Sequence, residues 1–333
     1  MDSKQDNLDN FGFKESVKDL SKFKNILGDH SVRANEKTYT ISLIREKELF
    51  LHVMNDLVES IDLREIKKRG RPSHLKDLLK ACIMKVYLKS ASRQLKTELK
   101  YLCDIGIINT VPNFNTINKF LDKQNLQQVL EEMITTSAIP LNQIETHFAI
   151  DATGISSYKF NRWLNLRTET DRRKDFVKAH ICCGSKSKII TSMKVTTAHT
   201  NDCPLFVPLL NKTAKYFNVL SVSADKGYCS KINFQFAEAI GAQAYIPFKS
   251  NTTGKARGSY AFLRAFKLAK EHPELYNNFY HVRSLSESVF SSVKRRFLDY
   301  TRSKKLQARI NEAYLKFVCY NICVLIRWFC NPN

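Results

Sequence analysis

Residues 280–297, YHVRSLSESVFSSVKRRF, place a single carboxylate among several basic side chains. At 3.6 residues per turn, a helix here would gather four polar residues within an arc of roughly 60° on one face. They are Tyr280, Arg283, Glu287 and Lys294. A metal-binding acid among phosphate contacts would have this arrangement. A surface helix with i,i+4 ion pairs would also align Arg283 with Glu287, so this stripe leaves both interpretations open.

Two further acids follow apolar runs that are typical of buried strands. HFAID ends in Asp151, and SVSAD ends in Asp225. In α/β sheets, ligands gather at the carboxyl ends of strands, although a lone aspartate there is often only a turn former. Three acids from separate elements suffice for Mg²⁺, which prefers carboxylate oxygen. Two such ions can stabilise the attacking and leaving oxygens of phosphodiester cleavage, with Arg283 and Lys294 suited to the phosphate oxygens.

These side chains need a sheet to position them, and the second half of the chain predicts one. Residues 175–199 indicate two strands joined by the turn GSKSK, after a first strand at HFAID. NVLSVSAD and AQAYIPF indicate two more strands, each preceded by a helical segment, and the chain from about 258 is helical. The order β-β-β-α-β-α-β-α-α predicts a mixed α/β sheet with helices on its faces.

The first half of the chain reads as helical. KKRGRPSH at 67–74 is either a solvated turn or an arm along DNA, with Arg69 and Arg71 as the candidate contacts. SASRQLKTELKYL, the loop GIINTVPN and FNTINKFL form a helix-turn-helix candidate. We therefore predict a helical DNA-binding region over 1–140 and a catalytic domain over 141–333.

The net charge of +21 is concentrated in the predicted catalytic half. Residues 141–333 carry 30 of the 53 Lys and Arg residues but only 13 of the 32 Asp and Glu residues. A folded and strongly basic domain favours a polyanionic partner, and nucleic acid is the first choice over an anionic membrane surface. The apolar run at 317–329 is short and carries Arg327, which predicts a buried helix. We expect a cytoplasmic, nucleoid-associated protein with no membrane partner.

The combined pattern resembles a known family. Y-x2-R-x3-E-x6-K fits residues 280–294, and it occurs with a strand leading into DATG and another leading into ADKGY. Together these resemble the DDE transposases of bacterial and archaeal insertion sequences, in the group defined by the Y-R-E-K signature. The resemblance implies an RNase H-like core. It implies Asp151, Asp225 and Glu287 as catalytic, metal-binding acids, and Mg²⁺ or Mn²⁺, with two ions, as the cofactor.

The resemblance also implies how the protein meets DNA. Tyr280, Arg283 and Lys294 would contact phosphates at the transferred end, and the adjacent Arg295 is a further candidate. The expected partners are double-stranded DNA, as terminal inverted repeats and as target, and a second copy of the chain on that DNA. A water would free a 3′-OH at the element end, and this 3′-OH would then attack the target. No covalent protein–DNA intermediate is needed.

Four more residues resemble family positions without an assigned catalytic role. Lys178 and His180 lie in FVKAH, and His199 and Asp202 lie in AHTND, where Asp202 is predicted to begin a helix. Only 62 positions separate the second and third acids, which leaves little room for the β insertion that some relatives carry there. Hairpin formation during second-strand cleavage is therefore left open.

Three alternatives share the fold or the charge. One is an RNase H-like DNA endonuclease that cleaves without strand transfer. Another is a DNA-binding derivative that has lost its chemistry, against which the presence of all three acids weighs. The last is a basic protein that coats nucleic acid with no metal-dependent activity. In each case the DNA affinity should fall steeply with salt.

Overall fold

The computed structural model describes residues 40, 42–63, 74–157, 176–250, 252, 253, 255 and 258–330. The chain divides into two compact units, Met1–Phe120 with Cys319–Asn333, and Leu121–Val318. The last helix has residues in both units. The predicted assignment of DNA binding to 1–140 and catalysis to 141–333 stays a prediction.

Among its described residues, the first unit contains several helices that come before the sheet in the chain. They are α1 (Glu46–Ser60), α2 (Leu75–Tyr87), α3 (Lys96–Asp104) and α4 (Phe114–Leu121). Apolar side chains recur at helical spacing on α1 and α2 and are buried, among them Phe50, Met54, Leu79 and Ile83. The predicted DNA contacts Arg69 and Arg71 lie outside the described residues.

The second unit is built on one five-stranded mixed sheet. Its strands are β1 (His147–Ser156), β2 (Phe176–Gly184), β3 (Ile190–Thr197), β4 (Ser221–Ala224) and β5 (Gln243–Tyr245). Their spatial order is β3-β2-β1-β4-β5. The first three strands pair antiparallel, whereas β4 and β5 run parallel to β1. The predicted α/β class with an RNase H-like core is confirmed.

The helices that accompany this sheet follow the predicted order. They are α5 (Leu126–Ala138), α6 (Phe206–Ala214), α7 (Lys231–Ala239), α8 (Tyr260–Glu271), α9 (Pro273–Tyr280), α10 (Ser284–Phe297) and α11 (Leu306–Cys330). α5 and α6 pack on β3, and α10 packs on β1. On α10 the apolar residues Val289, Val293 and Phe297 are buried, so this helix is fixed to the strand that carries the first acid.

The prediction that the first strand ends at Asp151 is wrong. β1 continues through Ser156, because Ala152 to Ser156 each face a residue of β2. Beyond the end of β4, the other edge of β1 is also bonded: Ser156 N donates to the Asp299 carbonyl, and Thr301 N donates to the Ser156 carbonyl. Pairing on both sides thus extends a segment whose sequence, DATG, resembles a turn.

Helix α11 is long and apolar enough to cross a membrane by length and composition alone. Of its most apolar 18-residue window, 83% is buried inside the protein. This agrees with the predicted core helix at the end of the chain. The nine cysteines are free thiols, and most of them are buried.

Candidate active site

Asp151 and Asp225 lie side by side on neighbouring parallel strands. The register of β1 with β4 pairs Ile150 with Ala224, and the two aspartates are the next residue on each strand. The side chain of Asp151 is 15% exposed. Asp225 lies just beyond β4, is exposed, and accepts a hydrogen bond from Lys226 N at 2.7 Å. The sheet therefore brings together two acids that are 74 positions apart in the chain.

Asp151 is held by three donors. Its Oδ1 accepts from Ala152 N at 2.8 Å, and its Oδ2 accepts from Ser286 Oγ at 2.8 Å and from Arg283 Nη1 at 3.0 Å. Burial raises the pKa of the Asp151 carboxyl, and the like charge of Asp225 adds to the rise. The three donors oppose both effects. Two carboxylates that repel each other in this way favour a cation between them.

The segment that carries the third acid departs from the predicted single helix over 280–297, which is wrong in its first turn. α9 ends at Tyr280, a 3₁₀ turn covers His281–Arg283, and α10 begins at Ser284. The Ser284 hydroxyl donates to the His281 carbonyl, and the Ser286 hydroxyl lies 2.6 Å from the Arg283 carbonyl. Serine hydroxyls that bond carbonyls three residues back favour such a tightened turn.

Arg283 joins the first acid to the third. Its Nη1 donates to Asp151 Oδ2 at 3.0 Å, and its Nη2 donates to Glu287 Oε1 at 2.8 Å. Its guanidinium carbon lies 5.9 Å from the centre of the Tyr280 ring. The i,i+4 ion pair of the first interpretation therefore forms, and it lies beside Asp151. The metal-binding interpretation stays a prediction.

The other predicted DNA contacts on this helix differ in exposure. Lys294 Nζ donates to Thr153 Oγ1 at 2.7 Å, two residues beyond Asp151 on β1. Burial lowers the pKa of Lys294, and Asp299 partly offsets this effect. Arg295 is exposed on α10. Lys294 is therefore tied to β1 two residues beyond Asp151, while Arg295 faces solvent.

The donor set can be compared with the needs of the implied divalent ions. In the part of the chain that the structure describes, no three His, Cys, Asp or Glu side chains are close enough together to hold a metal. Asp151 and Asp225 fit a hard cation, because both offer carboxylate oxygen at adjacent strand positions. Glu287 is turned toward Arg283, so the structure brings together two of the three predicted acids directly and the third through a guanidinium.

A second polar cluster lies around Asp202, which precedes the 3₁₀ turn Cys203–Leu205. Its carboxylate forms an ion pair with Lys178 and lies 3.5 Å from Nδ1 of the fully buried His180. His180 Nε2 is 2.9 Å from Thr196 Oγ1. Burial lowers the pKa of His180 to about 4, so the ring is neutral at pH 7. His199 is exposed after β3.

Sequence reasoning missed two residues that connect to these groups. Ser286 is fully buried and bonds Asp151, and its only sequence signal is its place next to Glu287. Tyr228 follows Asp225 in ADKGY, and its hydroxyl is buried with no hydrogen-bond partner among the described residues. Burial raises the pKa of Tyr228, and the charges of three carboxylates add to the rise: Asp202, Asp151 and Asp225. Its hydroxyl thus lies within electrostatic reach of both clusters.

This fold and site define an α/β domain of the RNase H type, with one acid within β1 and a second directly after the adjacent parallel strand β4. Residues 142–322, more than half of the chain, match the family described as "Transposase DDE domain", and the protein belongs to that family. No curated protein sequence matches the chain. Family membership confirms the predicted transposase class, with DNA as the substrate, and members generally use divalent metal ions. The insertion-sequence origin and the Y-R-E-K signature stay predictions.

Proposed function

We propose that the protein cleaves DNA at the ends of a mobile element and joins the freed 3′-OH to target DNA, with Asp151, Asp225 and Glu287 as its catalytic acids. The observation that carries this proposal is the placement of Asp151 beside Asp225 at adjacent strand positions, in a member of the transposase family. The burial of Asp151 and its repulsion by the neighbouring Asp225 suit this position to a cation.

Bound Mg²⁺ or Mn²⁺ would supply charge stabilisation at the attacking and leaving oxygens. Asp151 and Asp225 would hold the ions, and Glu287 would complete the ligand set from α10. Arg283 and Lys294 would meet the non-bridging oxygens of the phosphate, and the Tyr280 hydroxyl would donate to a neighbouring phosphate. The buried Ser286 hydroxyl would hold Asp151 Oδ2 in place by a hydrogen bond. In this mechanism DNA and water supply the nucleophiles, so none comes from the protein.

The charge distribution supports a DNA path across the catalytic unit. The excess of basic residues lies in 141–333, and Arg295 extends the basic stripe of α10 toward solvent. We propose that terminal inverted repeats and target DNA bind here, that 1–140 contributes further contacts including Arg69 and Arg71, and that two copies of the chain pair two element ends.

A strand-transfer assay tests the proposal. A duplex of the DNA flanking the gene, pre-cut to expose its 3′-OH, is incubated with protein, Mg²⁺ and a target plasmid. Joined product is expected with the unaltered protein and not with Asp225→Asn. Cleavage of the uncut duplex without joining would point instead to an endonuclease. Binding with neither step, from folded protein, would indicate an inactive DNA-binding derivative.

A further inference from the structure

The Arg283 guanidinium occupies the space between two of the proposed metal ligands. It donates one hydrogen bond to Asp151 and one to Glu287, at 3.0 and 2.8 Å. Asp151 and Glu287 each carry a negative charge, and the guanidinium places a fixed positive charge between them. In this arrangement the side chain stabilises the acids electrostatically, as a bound cation would.

A metal ion at this site must compete with that arginine. Asp151 Oδ2 already accepts from both Arg283 and Ser286, and Glu287 Oε1 accepts from Arg283. Asp225 differs, because its Oδ1 accepts from the adjacent Lys226 N. The guanidinium therefore limits access to the first and third acids more than to the second.

The backbone of Arg283 has a contact separate from those of its side chain. Its carbonyl lies 2.6 Å from the Ser286 hydroxyl, within hydrogen-bonding distance, and the turn around it is helical on both sides. The Arg283 side chain is 22% exposed, and that of Glu287 is 61% exposed, so the bridge reaches solvent at the Glu287 end. A phosphate offers the same planar fork two oxygens in bidentate geometry.

We propose that Arg283 couples DNA binding to metal binding: it neutralises Asp151 and Glu287 in the free protein, and a DNA phosphate draws it away so that both acids can bind a divalent ion. The inference rests on the proposed function, since it takes these acids as the metal ligands. By linkage, DNA tightens metal binding and metal tightens DNA binding by the same factor. The protein thereby keeps a weak metal site until its substrate is present.

Mn²⁺ titration followed by electron paramagnetic resonance tests this coupling without measuring activity. Without DNA, Arg283→Gln should bind Mn²⁺ about tenfold more tightly than the unaltered protein, within the usual range of coupling between sites. A duplex of the DNA flanking the gene should tighten Mn²⁺ binding to the unaltered protein by a similar factor, and binding to Arg283→Gln much less.

Arg264→Gln is the matched control, because Arg264 also pairs with a glutamate, Glu238, on the surface of the same unit. It removes the same charge and should leave the Mn²⁺ affinity nearly unchanged. Arg283→Lys keeps the charge but cannot bridge two carboxylates with a planar fork. Its Mn²⁺ affinity should therefore lie between those of the unaltered protein and Arg283→Gln. If Arg283→Gln fails to fold by circular dichroism, the effect of DNA on the unaltered protein decides.

Two failures are distinguishable. If Asp225→Asn abolishes Mn²⁺ binding, while Arg283→Gln binds no more tightly than the unaltered protein and DNA has no effect, the coupling is wrong and the metal site stands. If Asp225→Asn leaves Mn²⁺ binding unchanged, the acids are not the ligands, and the proposed function fails together with the coupling.

Discussion

Two carboxylates of the second unit, Glu145 and Asp225, have opposite surroundings. Glu145 is fully buried, and its two oxygens accept from Lys186 N at 3.1 Å, from Ser187 N at 2.5 Å and from Ser187 Oγ at 2.6 Å. All three donors belong to the turn between β2 and β3. Asp225 is exposed and accepts from the amide of the adjacent residue. One acid closes a turn, and the other faces solvent at the end of a strand.

The packing around the two acids differs in the same direction. A Cβ on Gly184 would lie 2.3 Å from Glu145 Cδ, so the chain approaches this carboxylate as closely as glycine allows. Asp151, by contrast, lies beside a second acid: burial raises its pKa, the charge of Asp225 adds to the rise, and its three donors oppose both effects. All the donors of Glu145 belong to one turn, so this carboxylate serves the fold. Asp151 and Asp225 lie at adjacent positions where like charges repel, which suits them to a ligand.

The sharpest separation of the two groups is expected from isosteric amides. If Asp225 is a metal ligand as proposed, Asp225→Asn should lower DNA cleavage by about 10³-fold or more, because several kcal/mol of transition-state stabilisation are lost. Its melting temperature should hardly change, since the side chain is exposed. Glu145→Gln should do the reverse, with lower stability and cleavage retained by the folded fraction. Cleavage rates and melting temperatures of both variants test this contrast. It would be contradicted if the two variants lost cleavage and stability to the same extent.

Removing the Glu145 carboxylate should cost less free energy than the loss of catalysis in Asp225→Asn, but more than a typical surface substitution. Glu145→Ala leaves two backbone amides and a hydroxyl without their acceptor, and each buried unpaired group costs about 1–3 kcal/mol. We expect the free energy of unfolding to fall by about 3 kcal/mol, measured by urea titration.

Gly184→Ala provides the matched test of the close approach at Glu145. Alone it should destabilise the protein, because its Cβ would meet the glutamate side chain. In the Glu145→Ala background the same change should cost much less, since the atoms that it meets are gone. Additive losses in the two backgrounds would mean that Gly184 acts through something other than Glu145.

His180 is fully buried, as Glu145 is, but its side chain is neutral. Burial lowers its pKa from 6.5 to about 4, against the charge of Asp202, while Lys178 lowers it further. The unfolded chain therefore binds a proton between about pH 6.5 and 4 that the folded protein excludes. Stability is full above pH 6.5 and falls with pH through that window, by about 2 kcal/mol between pH 6.5 and 5.

Urea unfolding of the unaltered protein and of His180→Gln at each pH isolates this contribution from that of the carboxylates. The difference between the two proteins should shrink as the pH falls, because the variant has no imidazole to exclude. A difference that is constant from pH 7 to 5 would mean that His180 does not titrate in this way.

The sheet and its paired acids could be predicted because their signals are local. Apolar runs of strand length alternate with helical segments, which predicts a sheet with an acid after two of its apolar runs. The structure puts Asp151 and Asp225 at adjacent positions, although Asp151 lies within β1 and not at its end. The end of β1 was missed because Ala152–Ser156 is held in a strand by β2 and by residues near Thr301. Such pairing comes from distant parts of the chain and leaves no local pattern.

The contacts of Arg283 show where the helical periodicity stopped being sufficient. The stripe placed Arg283 next to Glu287 correctly, because i,i+4 neighbours follow from helix geometry alone. Its second hydrogen bond, to Asp151, joins residues 132 positions apart and depends on how α10 packs on β1. Periodicity defines which side chains share a face, but tertiary packing decides what that face meets.

The smallest expected effect concerns Ser286, the buried hydroxyl beneath the first acid. Its Oγ lies 2.8 Å from Asp151 Oδ2 and 2.6 Å from the Arg283 carbonyl, and a hydroxyl has one proton to share between them. Ser286→Ala should lower cleavage about tenfold, or about 1.4 kcal/mol, because a hydrogen bond to a charged group is lost. Ser288→Ala is the control: its hydroxyl bonds only the Leu285 carbonyl among the described contacts, so cleavage should persist. If both variants lose cleavage equally, Ser286 acts by supporting the helix rather than by holding Asp151. The position of Asp151 would then depend on the packing of the fold more than the exposed Asp225 does.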